Sequence, residues 1–406
     1  MTDRLYDEDT VADPCPYFAG LRAREPVHEV DGSGVFLVTR MDLVKQIVND
    51  PETFSNHYVG FLQRDDDGTS FVLPLGPAES DPSVGWVLAT ADPPDHARHR
   101  RVLQPYLTPS AVEAHVPVMR GFATELLAPG VATGRMDWMR ACAEPLPMRV
   151  LARLLDLPDA AIPQMLAFGD ASGERLSGLA SRARLAELDQ IAFGAAGAFV
   201  LDAYVGRGRD ATDSLVGSVV AAVESGALAE REALAMLAVV VIAGGESTTG
   251  LLGNAVHLLA VHPDVQDRLR ADPALVPTFI EEAARLEPSF RNHPRVATRD
   301  TELAGVPIPA GAHLALVWPA ANRDPAAFTA PDSIDLHRPS PRSHVTFGWG
   351  IHLCIGAPLA RAEARVAVET LLGATDRVEI DHDAPPPEYV PSLMVRRLRT
   401  LPLRTA

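Results

Sequence analysis

Cys354 stands in the run Phe347-Gly348-Trp349-Gly350-Ile351-His352-Leu353-Cys354-Ile355-Gly356. A cysteine that ligates a metal does so as a thiolate, and a thiolate needs backbone N–H donors around its sulfur. Gly350 and Gly356 let the backbone bend closely round it. Phe347 can cover the sulfur and keep water away. The competing reading is a buried structural cysteine, the common fate of a free thiol.

A second chemical locus is Ala243-Gly244-Gly245-Glu246-Ser247-Thr248, within a long apolar segment. Two adjacent glycines in a helix cost about 1 kcal/mol each relative to alanine. The sequence therefore predicts a use for them, a local widening of the helix. Glu246 falls in an apolar stretch, where an unpaired carboxylate is costly. Beside a hydroxyl it can relay protons; alternatively it pairs with an arginine or caps a bend. Elsewhere, Glu282 and Arg285 have the spacing of a helical ion pair, and His96 and Arg100 share a helix face.

These segments, in this order, resemble the cytochrome P-450 family, over about residues 14–400. The cysteine loop fits Phe-x-x-Gly-x-His-x-Cys-x-Gly, and residues 243–248 are similar to the oxygen-binding kink of a long central helix. Glu282-x-x-Arg285 with Arg338 resembles a Glu-Arg-Arg cluster, and His96-Ala-Arg-His-Arg100 the helix that holds the haem propionates. The resemblance implies one mainly α (α+β) domain over residues 1–406, a triangular helical body with a small β-rich region. It implies haem b with Cys354 as axial thiolate, the ligand type that favours O–O cleavage. Phe347, Gly350, His352 and Gly356 then belong to the haem loop, and His96, Arg100, Arg295 and His352 to the propionates. Glu282, Arg285 and Arg338 lock the fold behind that loop. The family places threonine directly after the acid; here that position is Ser247, with Thr248 next. Ser247 is the expected oxygen-activating hydroxyl and Thr248 the fallback.

The implied reaction inserts one oxygen atom of O2 into an apolar small molecule. Electrons come from NAD(P)H through a reductase and a ferredoxin, since no Gly-x-Gly-x-x-Gly or second cysteine cluster is present. A peroxide-driven peroxygenase and a non-catalytic haem sensor are the rivals. Pocket walls are expected from the 59–91 loop, Val240, Val241, Ala243, Gly244, Phe290 and Met394. Arg291 could clamp a substrate carboxylate, though a solvent-directed arginine or a propionate contact is the plainer reading. Arg98, Arg101, Arg342, Arg361 and Arg365 could form a basic patch for an acidic ferredoxin. His99, Arg98 and Arg101 otherwise read as surface charges.

Composition supports a soluble, cytoplasmic reading. Apolar residues make up 47% and charged residues 22%, ordinary for a globular protein. The net charge of −17 argues against nucleic acid and anionic membranes. The N-terminus is acidic with no apolar core, and the apolar stretch from 233 to 245 is too short for a span. Three cysteines without Cys-x-x-Cys imply neither a disulfide framework nor zinc.

The elements follow from pattern. The central helix is expected over 230–261, stopped by His262-Pro263. Helices are predicted over 16–24, 43–49 (capped by Asp42) and 357–375, and strands at 35–38, 295–299, from 302, and 313–317. Residues 59–91 carry no regular pattern. A tight turn is expected at Ile308-Pro309-Ala310-Gly311.

Overall fold

The central helix runs from Glu230 to Val261, the span its apolar run predicts. Its start is fixed by Glu232, whose carboxylate accepts the Ala229 N–H at 2.7 Å. Its end is set by Pro263, which disfavours helical backbone at His262. In the computed structural model, which describes residues 3–57, 60–65, 67–74, 86–206 and 214–405, this helix is the spine. Against it pack the helices Pro145–Leu154, Ile162–Arg175, Val276–Leu286 and Ala357–Ala374. By length and composition it could cross a bilayer. Here its apolar side chains close the largest core cluster, with Trp138, Met139, Leu146 and Leu371.

The adjacent glycines serve that packing. A Cβ on Gly245 would lie 2.3 Å from Met148 Cε, and one on Gly244 3.0 Å from a Leu151 methyl. The helix stays regular across both. The expected widening is therefore not found; the glycines let the helix Pro145–Leu154 come close.

The β-rich part holds a five-stranded sheet in the order Val27–Glu29, Val35–Val38, His313–Val317, Asn292–Ala297, Phe54–Ser55. Only the pair Val35–Val38 with His313–Val317 is parallel. Val35–Val38 is buried along its length, as an unbroken apolar strand should be. The sheet packs on the helix Met41–Val48 through Phe36, Val44, Ile47 and Leu314.

Three local expectations change. Residues 60–74 are not structureless: Gly60–Arg64 and Ser70–Pro74 form an antiparallel hairpin, and Leu88–Thr90 a 3-10 turn. Residues 59, 66 and 75–85 of that loop lie outside the described residues. Asp42 sits inside the first turn of Met41–Val48, where it pairs with Arg40, the N-cap residue. The tight turn falls one residue later, closed by Ala312 N–H to Pro309 C=O at 3.1 Å. Gly311, at φ +84°, supplies the left-handed third position of that turn.

Candidate active site

The Cys354 loop is shaped by its own backbone. Cys354 N–H bonds Phe347 C=O at 2.7 Å, and Leu353 N–H bonds Gly350 C=O at 3.1 Å. Gly350 has φ +68°, and a Cβ there would meet the Val48 carbonyl at 2.9 Å. Glycine is required on both counts. Gly348, at φ +71°, has the same constraint and was not singled out by the motif. Gly356 has an ordinary φ of −85°. Its contribution is different: its N–H and that of Ala357 point at the Cys354 sulfur, at the start of the helix Ala357–Ala374. Burial pushes the Cys354 thiol up, while the Gly356 N–H, Arg100 and Arg361 pull it down. Yet Cys354 as a residue is exposed. A cation at that sulfur tips the balance to thiolate. Phe347 packs on the main core, with the Arg361 guanidinium 4.2 Å above its ring.

Around the loop gather nitrogen donors. The His96 and His352 rings lie 4.1 Å apart. Arg100 donates to Leu353 C=O at 2.7 Å, and among the described residues no carboxylate pairs with it. Arg295 is buried and donates to Pro294 C=O at 2.8 Å. Burial and Arg100 lower His96 to about 4; burial, His96 and Arg295 lower His352 to about 2. Each ring can donate at least one N–H. His352 Nε2 is buried without a hydrogen-bond partner. His57, stacked on Trp86 with centroids 5.1 Å apart, joins this cluster; no sequence motif marked it.

On the central helix, Ala243 is exposed and Ser247 half-buried, whereas Glu246 and Thr248 are buried. Val240, Ala243 and Ser247 recur at helical spacing and form one open stripe. Ser247 Oγ donates to Ala243 C=O at 2.5 Å. Glu246 turns away from the stripe and bonds Arg397 at 3.1 Å. Burial raises its carboxyl to about 7, opposed by Arg397. The arginine reading of this glutamate, given above as the alternative, describes this geometry.

Behind the cysteine loop, Glu282 is fully buried and accepts from Arg285 at 2.8 and 2.9 Å and from Arg338 at 2.8 Å. Arg285 also donates to the carbonyls of Asn322, Pro331 and Ser333. Every strong donor of this buried set is used, which offsets its desolvation. A second buried carboxylate, Glu281, went unnoticed in the sequence. It takes Arg361 at 2.7 Å, His344 at 3.0 Å and Arg342 at 3.2 Å, and is held at about 2 against its burial.

Comparison with known proteins decides what this arrangement is. The chain is 37% identical over 401 residues to Cytochrome P450 144 of Mycobacterium tuberculosis, covering 98% of this chain and 90% of that one. The chain belongs to the cytochrome P450 family. The family profile Cytochrome P450 matches residues 201–400. The erythromycin C-12 hydroxylase of Saccharopolyspora erythraea is 33% identical over 93% of this chain and 90% of its own. A solved structure of CYP109E1 from Bacillus megaterium in complex with testosterone superposes with TM-score 0.85 at 26% identity, covering 98% and 99% of the two chains. This P450 is an oxidoreductase of the haem monooxygenase class, and its cofactor is haem b with the Cys354 thiolate as axial ligand. The residues present fit that group. Cys354 lies in an exposed loop with the Gly356 and Ala357 N–H groups directed at its sulfur, and Arg100 and the orphaned His352 Nε2 offer cationic and neutral partners for two carboxylates.

The expected pocket residues divide. Met394 and Phe61 are buried together, with Phe290, Leu176 and Val296 against them. Val240, Ala243 and Gly244 keep exposed surface, but Val241 is fully buried in the main core and lines nothing open. Arg291 is neither solvent-directed nor on the propionate side. It is buried beneath the N-terminal helix Glu8–Ala12 and donates to Val11 C=O at 2.7 Å. Burial lowers its guanidinium to about 9.

The basic patch is also altered. Arg98 clamps Glu232 at 2.7 Å, Arg342 and Arg361 hold Glu281, and Arg365 pairs with Glu113 and Glu369. His99, read as a surface charge, is fully buried and accepts the Leu88 N–H. Arg101 is exposed and makes no ion pair among the described residues.

Proposed function

We propose that this P450 inserts one oxygen atom of O2 into a C–H or C=C bond of a largely apolar, neutral small molecule. Electrons come from NAD(P)H through a cytoplasmic reductase and a ferredoxin. When bound, haem supplies the redox chemistry that activates dioxygen. The rest is the work of this chain's side chains. Cys354 holds the metal as thiolate; Arg100, Arg295, His96 and His352 hold the propionates. Ser247 presents a hydroxyl on the open stripe, and Glu246, one residue before it, provides the proton. The observation that carries this reading is the stripe itself: Ala243 and Ser247 stay open on a helix whose neighbours Glu246 and Thr248 are buried.

The substrate class rests on Arg291 and on two relatives. Arg291 is buried and directs its Nη2 to Val11 C=O beneath the N-terminal helix, which argues against a role as clamp for a substrate carboxylate. One relative is named for hydroxylating erythromycin and one solved neighbour holds testosterone; both ligands are bulky. Titration of the ferric protein with apolar acids and their neutral isosteres, followed in the Soret band, tests this. Neutral ligands should shift the band, and Arg291→Met should leave that shift unchanged. Shifts with acids alone, lost in Arg291→Met, would overturn the substrate class.

The hydroxyl is tested by coupling. Ser247→Ala should divert NADH electrons to peroxide, while Thr248→Ala stays coupled. The reverse pattern would refute the assignment.

A further inference from the structure

The Glu246 carboxylate is parked in a slot between helices. A Cβ on Gly173, in the helix Ile162–Arg175, would come within 2.8 Å of Glu246 Oε1. Arg397 Nη1 donates to Glu246 Oε2 at 3.1 Å. The same nitrogen donates to Asp170 Oδ1 at 3.1 Å, as does Nη2. Side-chain exposure falls from 61% at Asp170 to 13% at Arg397 and 5% at Glu246. One guanidinium thus spans the boundary, with one carboxylate in water and another in the core. Arg397 Nε is buried and bonds nothing. Glu144, before the helix Pro145–Leu154, is the third acid near this cation.

Resting on the reading of Glu246 as proton donor, we propose that Arg397 is a positioning residue that parks the Glu246 carboxylate against Gly173. Asp170, competing for the same guanidinium, sets how readily that carboxylate is released toward Ser247. Ionised Glu246 is held by charge and a hydrogen bond. When it takes one proton from solvent it loses the Coulomb attraction, and Arg397 turns wholly to Asp170. The neutral side chain is then free to swing to the stripe and hand its proton on. Protonation and release become one event: the side chain is neutral while it leaves Arg397, and once it has handed its proton on it returns, ionised, to the guanidinium. Gly173 is part of the device because any side chain there would occupy the parking slot.

The test needs a readout apart from turnover. In the ferric protein, the infrared carbonyl band of protonated Glu246 is assigned by its loss in Glu246→Gln and titrated against pH. Arg397→Met should raise its midpoint by about one pH unit or more, the ordinary effect of removing a close opposite charge. Arg397→Lys should restore part of the shift. Asp170→Asn, at an exposed position, should lower the midpoint, because a negative neighbour is gone and Arg397 is left to Glu246. The pH profile of NADH coupling should move in the same directions. An unmoved midpoint and unmoved coupling profile in both Arg397→Met and Asp170→Asn, with Glu246→Gln uncoupled, would overturn the positioning role alone. Wild-type coupling in Glu246→Gln would overturn the donor reading and this proposal with it.

Discussion

Glu363 offers a sharp test of how this core is built. It lies on the helix Ala357–Ala374, two turns beyond the Cys354 loop, and is 1% exposed. Its Oε2 has no hydrogen-bond partner. Burial alone raises its carboxyl from 4.5 to about 8. In the unfolded chain it ionises near its ordinary value, while in the fold it keeps its proton. A carboxyl raised on folding contributes stability that is fully present below the unfolded pKa and lost as pH rises through the folded one. Between pH 5 and 8 the protein should lose about 1.4 kcal/mol per pH unit from this group, about 4 kcal/mol in all. Glu363→Gln keeps shape and removes the titration. The assay is the denaturant midpoint of holoprotein and variant at pH 5, 6, 7 and 8. Groups common to both cancel in the difference, so the variant should gain steadily on the parent as pH rises. Parallel lines across that window would refute the claim that Glu363 is a neutral acid held by burial alone.

Four further variants test the core and the surface. Arg285→Ala strips two bonds from buried Glu282 and takes the arginine donor from the Asn322 and Pro331 carbonyls; a loss of about 3–5 kcal/mol is expected, read as loss of Soret absorbance per protein at 280 nm. Gly245→Ala displaces only the flexible end of Met148 and removes a helical glycine that costs about 1 kcal/mol, so the denaturant midpoint should stay within about 1 kcal/mol of the parent. Arg101→Glu should slow reduction by a ferredoxin at low salt and flatten its salt dependence. Arg361→Glu, which would face Glu281, should instead fail to load haem; a soluble, fully loaded Arg361→Glu protein would remove Glu281 from the loop's support.

The central helix was legible because apolar length, an acidic first turn and His262-Pro263 are all local signals. The Cys354 loop and the Glu282 cluster were legible because their spacing is short or their order fixed. What the sequence hid was long-range. Glu246 finds Arg397 across 151 residues, and no periodicity announces such a pair. The glycines at 244 and 245 were rightly marked as costly, but their reason lies in Met148 and Leu151 on another helix. Arg291 was misjudged because its partner is a backbone carbonyl, which has no sequence signature. His99 and Arg98 sit in a strongly basic run, and only the fold shows that Glu232 reaches them.

The loop that carries Cys354 is braced from the far end of the chain. Val48 C=O abuts Gly350, and Lys45, the chain's only lysine, lies 4.3 Å over the Trp349 ring. These partners are about 300 residues away in sequence. A ribosome has therefore released the first brace long before the loop exists, and the loop takes its final form only when both ends of the chain have met. Haem capture by this P450 is then a report on completed folding: a chain that has misplaced its first fifty residues should present a cysteine but not a socket.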